Sequence, residues 1–291
     1  MNNYKKLIIF ILINIVLAQK ILIPMDIKQT NHLKAYGIAY SSLKNKKKVE
    51  WLLNYRGGSF LLDLSSHIKK ECLLKNVYYE NLTIEDISMI YATIEEENME
   101  LVILEKAPKI AVYSPPDQQP WDDAVTLALT YADINYEVIF DDEVINEQLY
   151  KYDWLHLHHE DFTGQYGKFY RYRNQPWYKE MEKNFTKSAK KYGFNTVHQF
   201  KKTIALKIRE YINNGGFLFA MCSATDSFDI ALSYYETDFA HQIYDGTPID
   251  VDYFNKANYA NGIAFENYEL YIDPTIYEYS NIDFPSSHQP N

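Results

Sequence analysis

Residues 215–232 read GGFLFAMCSATDSFDIAL. An apolar run at 217–221 breaks at Cys222-Ser223 and passes within a few residues into a pattern typical of a helix. A turn from strand to helix often presents a reactive side chain, or a row of backbone N–H groups, at the edge of a sheet. This stretch therefore predicts a strand, a helix and a candidate site between them.

Predicted strands and helices alternate along the rest of the chain, which favours a mostly parallel sheet with its sites at the carboxyl ends of the strands. We predict an α/β fold: a doubly wound, mostly parallel sheet, flavodoxin-like in arrangement, preceded by a smaller α/β region. The predicted strands are 20–25, 49–55, 77–82, 109–113, 136–140, 152–158 and 217–221. The predicted helices are 32–43, 64–74, 84–98, 120–132, 196–213 and 226–234.

Composition narrows the classes of partner. The chain has 291 residues, 47% of them hydrophobic, and a formal net charge of −10. This charge disfavours nucleic acid or an anionic membrane surface as a partner. The 27 tyrosines and 15 phenylalanines suggest a surface that faces carbohydrate or protein. We expect a small-molecule or glycan substrate. We expect no cofactor and no stable membrane insertion, and the sequence indicates no oligomeric state.

The N-terminus has the pattern of a secretory signal peptide. Lys5-Lys6 precede the apolar run Leu7 to Leu17, and Val16-Leu17-Ala18 form a plausible cleavage site. The run has some 11 residues, and a membrane span needs roughly 20, so the length favours a cleaved signal peptide. The alternative is an uncleaved membrane anchor. We expect the mature protein to begin near Gln19 and to be exported, to the periplasm or outside the cell.

Four segments follow from these patterns. Residues 1–18 are the signal peptide, 19–106 an N-terminal α/β region, 107–240 a second α/β domain, and 241–291 a Tyr-rich C-terminal segment. No closing strand or helix is evident after Ala240, so we expect that the chain is truncated. The two cysteines, Cys72 and Cys222, make no disulfide framework, and the sequence leaves open whether they pair.

Cys222 is the first candidate for catalysis. A nucleophile in a strained turn needs small residues two positions before and after it, and Ala220 and Ala224 meet that need. A thiol at a helix N-terminus also has its thiolate favoured by the helix dipole. The alternative is that Cys222 is a small apolar core residue, as free cysteines often are.

The second candidate group is His156-Leu157-His158-His159-Glu160-Asp161. We expect His158, His159 and Glu160 to leave a strand at the same sheet edge as Cys222 and to act with it in catalysis, with Asp161 binding substrate. Strand alternation places His156 and His158 on one face and His159 on the other. The alternatives are a zinc site at His156 and His158, or a structural hydrogen-bonded cluster. We assign no metal ligand.

A third pattern is Ser223-Ala224-Thr225-Asp226-Ser227. It resembles the Ser-Gly-Gly-x-Asp-Ser loop of PP-loop ATP pyrophosphatases, including asparagine synthetases, but Ala224 and Thr225 replace the glycines that let backbone N–H groups surround a pyrophosphate. An ATP-dependent amide synthetase is therefore disfavoured. Ser223 and Asp226 remain candidates for substrate binding, together with Trp121 and Asp122 near the start of the helix at 120–132.

From Ile21 through Phe284 the chain resembles an uncharacterised secreted bacterial family often labelled "asparagine synthetase B". The stretches that carry the resemblance are 21–26, 31–37, 51–60, 119–124, 154–167 and 215–232.

At the level of fold, the part beyond Pro108 is similar to class I glutamine amidotransferase-like domains. Cys222 matches the cysteine of their Gly-x-Cys-x-Gly turn. Their His-x-Glu partner is absent, because His241 and His288 are followed by Gln-Ile and Gln-Pro. The resemblance implies a secreted Cys-dependent hydrolase or amidase. Either His158 or His159 then replaces the usual histidine, or that partner lies in a missing segment, or the site is not a glutaminase. The alternative is a non-catalytic binding protein for a small molecule or glycan.

Overall fold

The structure is a computed structural model that describes residues 20–116 and 124–282. Two compact units make up the chain. Of the described residues, the first unit comprises 20–107 and 124–135, and the second comprises 108–116 and 136–282. The expected signal peptide at 1–18, the start of the helix predicted at 120–132, and Trp121 and Asp122 lie outside the described residues.

The first unit contains a five-stranded sheet in the order β4-β1-β3-β2-β5. All of its pairings are antiparallel, so the parallel arrangement expected from the alternating pattern is wrong here. The reason is the connection between β2 and β3, a single 3-10 turn at Tyr55–Gly57, whereas a parallel crossover needs a dozen or more residues. The strands are β1 Lys20–Ile23, β2 Val49–Leu53, β3 Ser59–Asp63, β4 Glu80–Leu82 and β5 Glu100–Leu104.

Gly57 allows this turn to lie against the end of β1. Its φ is +83°, and a Cβ at this position would stand 2.5 Å from the carbonyl oxygen of Met25. The helices of the first unit are α1 His32–Lys44, α2 Ser66–Leu74, α3 Ile84–Glu96 and α4 Ala124–Tyr131. Although α4 belongs to this unit, it lies between two strands of the second unit along the chain.

The second unit contains a parallel sheet of four strands in the order β7-β6-β8-β9. Counted along the chain, this order is 2-1-3-4, as at the start of a doubly wound sheet. All four strands correspond to predicted ones, with slightly shorter bounds. They are β6 Ile110–Tyr113, β7 Tyr136–Ile139, β8 Trp154–Leu157 and β9 Phe217–Ala220.

Five helices of the second unit lie within the described residues. They are α5 Asp141–Ile145, α6 Pro176–Lys191, α7 Val197–Asn213, α8 Cys222–Ser233 and α9 Gln242–Asp245. The segment 166–192, which interrupts the predicted alternation, forms two 3-10 turns followed by α6. Beyond α9, residues up to 282 form two 3-10 turns and an isolated bridge between Leu270 and Ser280.

A buried ion pair joins α7 to the ends of two strands. The ammonium of Lys201 donates to both carboxylate oxygens of Asp141 at 2.9 Å, and their side chains are 2% and 1% exposed. Tyr113, the last residue of β6, donates its hydroxyl to Asp141 and accepts from Lys201 at 3.1 Å. Burial and the adjacent Asp141 hold the pKa of Tyr113 well above its usual value. Each group thus has a partner, as a buried charge requires.

Two other buried lysines donate to backbone carbonyls. Lys168 donates to the carbonyls of Tyr271 and Glu278, and Lys202 donates to those of Tyr234 and Thr237. Burial lowers the pKa of each lysine to about 8, against the opposing effect of nearby carboxylates. Lys168 therefore fixes two points of the C-terminal segment to the body of the unit.

We predict that Asp141→Asn destabilises the protein by about 3–5 kcal/mol, because the ammonium of Lys201 loses its compensating charge in the interior. The neighbouring residue provides a matched control. Asp142 pairs with Lys191 at the surface, where the two side chains are 50% and 54% exposed, so Asp142→Asn should cost less than about 1 kcal/mol. Urea unfolding at pH 7 measures both changes, and similar losses for the two variants would contradict the prediction.

We also predict that Lys168→Met and Lys202→Met alter how stability depends on pH. Each lysine is half deprotonated near pH 8 in the folded state and mostly deprotonated by pH 9.5. In the unfolded chain it is still mostly protonated at pH 9.5, because its usual pKa is about 10.4. Because the unfolded chain binds more protons, each lysine makes the free energy of unfolding rise with pH, by up to about 1 kcal/mol per pH unit.

Each methionine variant should remove its share of this slope. Burial raises the pKa of Cys72 to about 11 and contributes a slope of opposite sign, so the slope of each variant is compared with that of the wild type. Lys183→Met, at a side chain that is 71% exposed, is the control. Identical slopes for all four proteins would show that burial does not perturb Lys168 or Lys202.

Candidate functional site

Two loops leave neighbouring parallel strands at the same edge of the second sheet. Leu157, the last residue of β8, pairs with Ala220, the last residue of β9. The backbone N–H of Met221 then donates to the carbonyl of Leu157 at 3.0 Å, and that of Ala224 donates to the carbonyl of His158 at 3.1 Å. The predicted meeting of the histidine segment and Cys222 at one sheet edge is therefore confirmed.

Cys222 has an unusual backbone conformation. It is the first residue of α8, and its φ is +49°. Residues other than glycine rarely adopt this left-handed backbone conformation outside special turns. Ala220 and Ala224 stand on either side, and Ala224 is fully buried. Cys222 itself is exposed, and both it and Cys72 are free thiols, so Cys222 is not a core residue.

His158 and His159 lie beside this thiol. One ring nitrogen of each histidine and the Cys222 Sγ all lie within 4.8 Å of one another, and the two imidazole rings are 3.7 Å apart between centroids. The expectation that His159 points to the opposite face is wrong, because β8 ends at Leu157 and strand alternation stops there.

His156 is separate from this group. It is fully buried within the sheet, with Nδ1 3.1 Å from the carbonyl oxygen of Phe219. Its ring centroid lies 6.1 Å from that of His158. The group of three ligand atoms found in the described part of the chain therefore contains His158, His159 and Cys222 rather than His156.

The two acidic residues that follow organise the loop. A carboxylate oxygen of Glu160 accepts from the backbone N–H of His158 at 2.7 Å, and its carbonyl accepts from the hydroxyl of Ser227 at 2.7 Å. The buried carboxylate of Asp161 accepts from the N–H groups of Thr163 and Gly167 at 2.7 and 2.9 Å. These bonds hold the loop after β8 against α8 and fix the backbone of His158.

A cavity of about 250 Å³ opens beside Cys222. One side of it is formed by His159, Cys222, Ser223 and Asp226, and the other by residues 277–280. The hydroxyl of Ser280 donates to the carboxylate of Asp226 at 3.1 Å. Asp226, a candidate for substrate binding, thus joins the two walls of the cavity.

The wall at residues 277–280 was missed by sequence reasoning. The segment follows no predicted strand or helix, and its position depends on Ser280 meeting Asp226 and on Lys168 binding the carbonyls of Tyr271 and Glu278. Bonds between residues more than 50 positions apart leave no local pattern. The tyrosine-rich composition, with Tyr277 and Tyr279 in this segment, is the one sequence signal that marks it.

Comparisons with protein-family models, with curated proteins and with solved structures gave no match to this chain. None of the helices in residues 20–116 and 124–282 is long and apolar enough to cross a membrane.

Proposed function

We propose that the protein is a Cys-dependent hydrolase or amidase that acts on a small amide, with Cys222 as its nucleophile. The observation that carries this proposal is the left-handed backbone of Cys222 at a junction between strand and helix. Strain of this kind costs stability and is concentrated at functional sites. In a nucleophile elbow the same conformation exposes the reactive side chain above the sheet edge.

A nearby base supports the assignment. A nitrogen of His158 and one of His159 lie within 4.8 Å of Cys222 Sγ, and contacts of this kind are often longer without substrate than in the reacting complex. His159 also lines the cavity with Cys222, so it is the better placed of the two to reach a leaving group. His158 is held by its backbone bonds to Glu160 and Ala224.

The start of α8 supplies the electrostatic part of the reaction. The first N–H groups of a helix have no carbonyl partner within the helix. That of Ala224 is used by the carbonyl of His158, so we assign the electrostatic role to those of Cys222 and Ser223, the first two residues of α8. Backbone N–H groups in such a position stabilise the negative charge that develops on a carbonyl oxygen under attack.

The proposed reaction has two steps. The Cys222 thiol gives its proton to an imidazole, and Sγ attacks the amide carbonyl carbon. The C–N bond then breaks, the amine leaves with the proton from the imidazole, and a thioester remains. Water, deprotonated by the same imidazole, attacks the thioester, which releases the carboxylic acid and restores the thiol.

The size of the cavity and the fold support a small substrate and a class I glutamine amidotransferase-like domain. A volume of about 250 Å³ lies just below the roughly 300–1,000 Å³ typical of pockets for larger ligands. The sheet order 2-1-3-4 matches the first four strands of the doubly wound flavodoxin-like order.

His241 is one of the two histidines downstream of Cys222 that were compared with the His-x-Glu partner. Its side chain accepts a hydrogen bond from the N–H of Ile243 as the N-cap of α9.

We predict that iodoacetamide alkylates Cys222 in the native protein at neutral pH and much faster than Cys72. Cys72 is fully buried, and burial raises its pKa to about 11. Exposure alone would also favour Cys222, so the histidines provide the sharper test. His158→Ala with His159→Ala should slow alkylation by about tenfold or more, because removal of an acid/base partner typically costs 10²–10⁴-fold in rate. The exposed His67 on α2 provides the control variant, His67→Ala.

Turnover is tested by the release of ammonia from small primary amides, including L-glutamine and L-asparagine. Cys222→Ala should abolish release while leaving urea stability within about 1 kcal/mol, because only an exposed thiol is lost. A Cys222 that reacts only after denaturation, or at the same rate in the double-histidine variant, would overturn the proposal. The cavity would then be that of a non-catalytic binding protein.

We also propose that residues 1–18 direct export and are removed. Mass spectrometry of the protein purified from a host with a secretory pathway should find the mature N-terminus at or near Gln19. Replacing residues in the apolar run Leu7 to Leu17 with aspartate should stop processing, because that run must enter an apolar environment. Intact Met1 in soluble cytoplasmic protein would contradict this proposal.

A further inference from the structure

Two imidazoles and a thiol lie close together beside the cavity. A nitrogen of His158, a nitrogen of His159 and the Sγ of Cys222 lie within 4.8 Å of one another. Imidazole nitrogen and thiolate sulfur are the ligands that zinc prefers, whereas calcium and magnesium select oxygen. We propose that His158, His159 and Cys222 form a binding site for a thiophilic divalent cation, with Zn²⁺ as the best match to the donor set.

The spacing suits a tetrahedral site after a small movement. Zn–S bonds of about 2.3 Å and Zn–N bonds of about 2.0–2.1 Å place tetrahedral ligand atoms roughly 3.3–3.6 Å apart. The three atoms, now within 4.8 Å of one another, therefore need to approach by up to about 1.5 Å, a movement within the reach of side-chain torsions. Cys222 and His159 are exposed and His158 is partly exposed, so packing does not prevent these rotations.

The backbone beneath the site is held in place. The bond from Ala224 to the carbonyl of His158 and the bond from His158 to Glu160 fix the two loops relative to each other. Ser227 adds a third tie through the carbonyl of Glu160. A cation therefore meets ligands from two fixed loops rather than from one flexible segment, which lowers the entropy cost of binding.

Three protein ligands leave a fourth tetrahedral position for water. On binding, the Cys222 thiol releases its proton to solvent, so affinity rises with pH. The consequence for chemistry rests on the proposed function. A sulfur bound to zinc is no longer free to attack a carbonyl, so occupied sites are inactive and a chelator restores them.

The test uses the metal alone. Titration of the chelator-treated protein with Co²⁺ should give the intense sulfur-to-cobalt absorption of a thiolate complex and the visible bands of tetrahedral cobalt, saturating at one equivalent. Zn²⁺ should then displace the cobalt. Cys222→Ser should abolish the sulfur band. His158→Ala and His159→Ala should each weaken Co²⁺ binding by about tenfold or more. Losing a residue that only orients a metal ligand already costs about 10–100-fold in affinity.

His67→Ala is the matched control and should bind Co²⁺ like the wild type, since His67 lies on α2 in the first unit. Circular dichroism confirms that each variant is folded. Absence of a sulfur band with metal in several-fold excess, or a band that survives Cys222→Ser, would overturn the site. Neither result depends on turnover. If the protein binds cobalt at this site but releases no ammonia from amides, the proposed function fails and the metal site stands. Alkylation of Cys222 is measured on metal-free protein, so it tests the proposed function independently of metal binding.

Discussion

The parallel pairing of β8 with β9 is the constraint on which the candidate site depends. The pairing ends at Leu157 and Ala220, and two further backbone bonds, to the carbonyls of Leu157 and His158, carry the contact into the loops. A slip of one residue in this register would move Cys222 away from the histidines and turn its neighbours to the other face. The thiol and the imidazoles meet because their strands end together, and the carboxylates of Glu160 and Asp161 hold the loop that follows β8.

The second unit depends on charges placed inside it. Lys201 binds Asp141 and Tyr113 where β6 and β7 end, and Lys168 holds the segment that walls the cavity. Buried charges contribute little net stability, but they penalise arrangements in which their partners are missing. In this unit they define where α7 and the C-terminal segment lie.

The sequence predicts the strands of the second unit well, because each is a short apolar run bounded by turn residues. It also predicts the shared edge of Cys222 and His158, since parallel strands end on the same side of a sheet. In the first unit β3 and β5 were missed, and the antiparallel pairing was too. Strand β3 was missed because it begins directly after the loop at Arg56 to Gly58. Strand β5 was missed because only three residues separate it from α3. The position of the cavity wall at residues 277–280 could not be predicted from the sequence, because hydrogen bonds between distant residues determine it.

The wall of the cavity also comes late in the chain. During synthesis on the ribosome, His158, His159 and Cys222 emerge well before Lys168 can find the carbonyls of Tyr271 and Glu278, or Asp226 the hydroxyl of Ser280. The nascent second unit therefore carries its thiol at an edge that lacks the cavity wall until the last tyrosine-rich stretch arrives. Because Cys222 is exposed in the folded protein as well, that stretch completes the cavity beside the thiol without burying it.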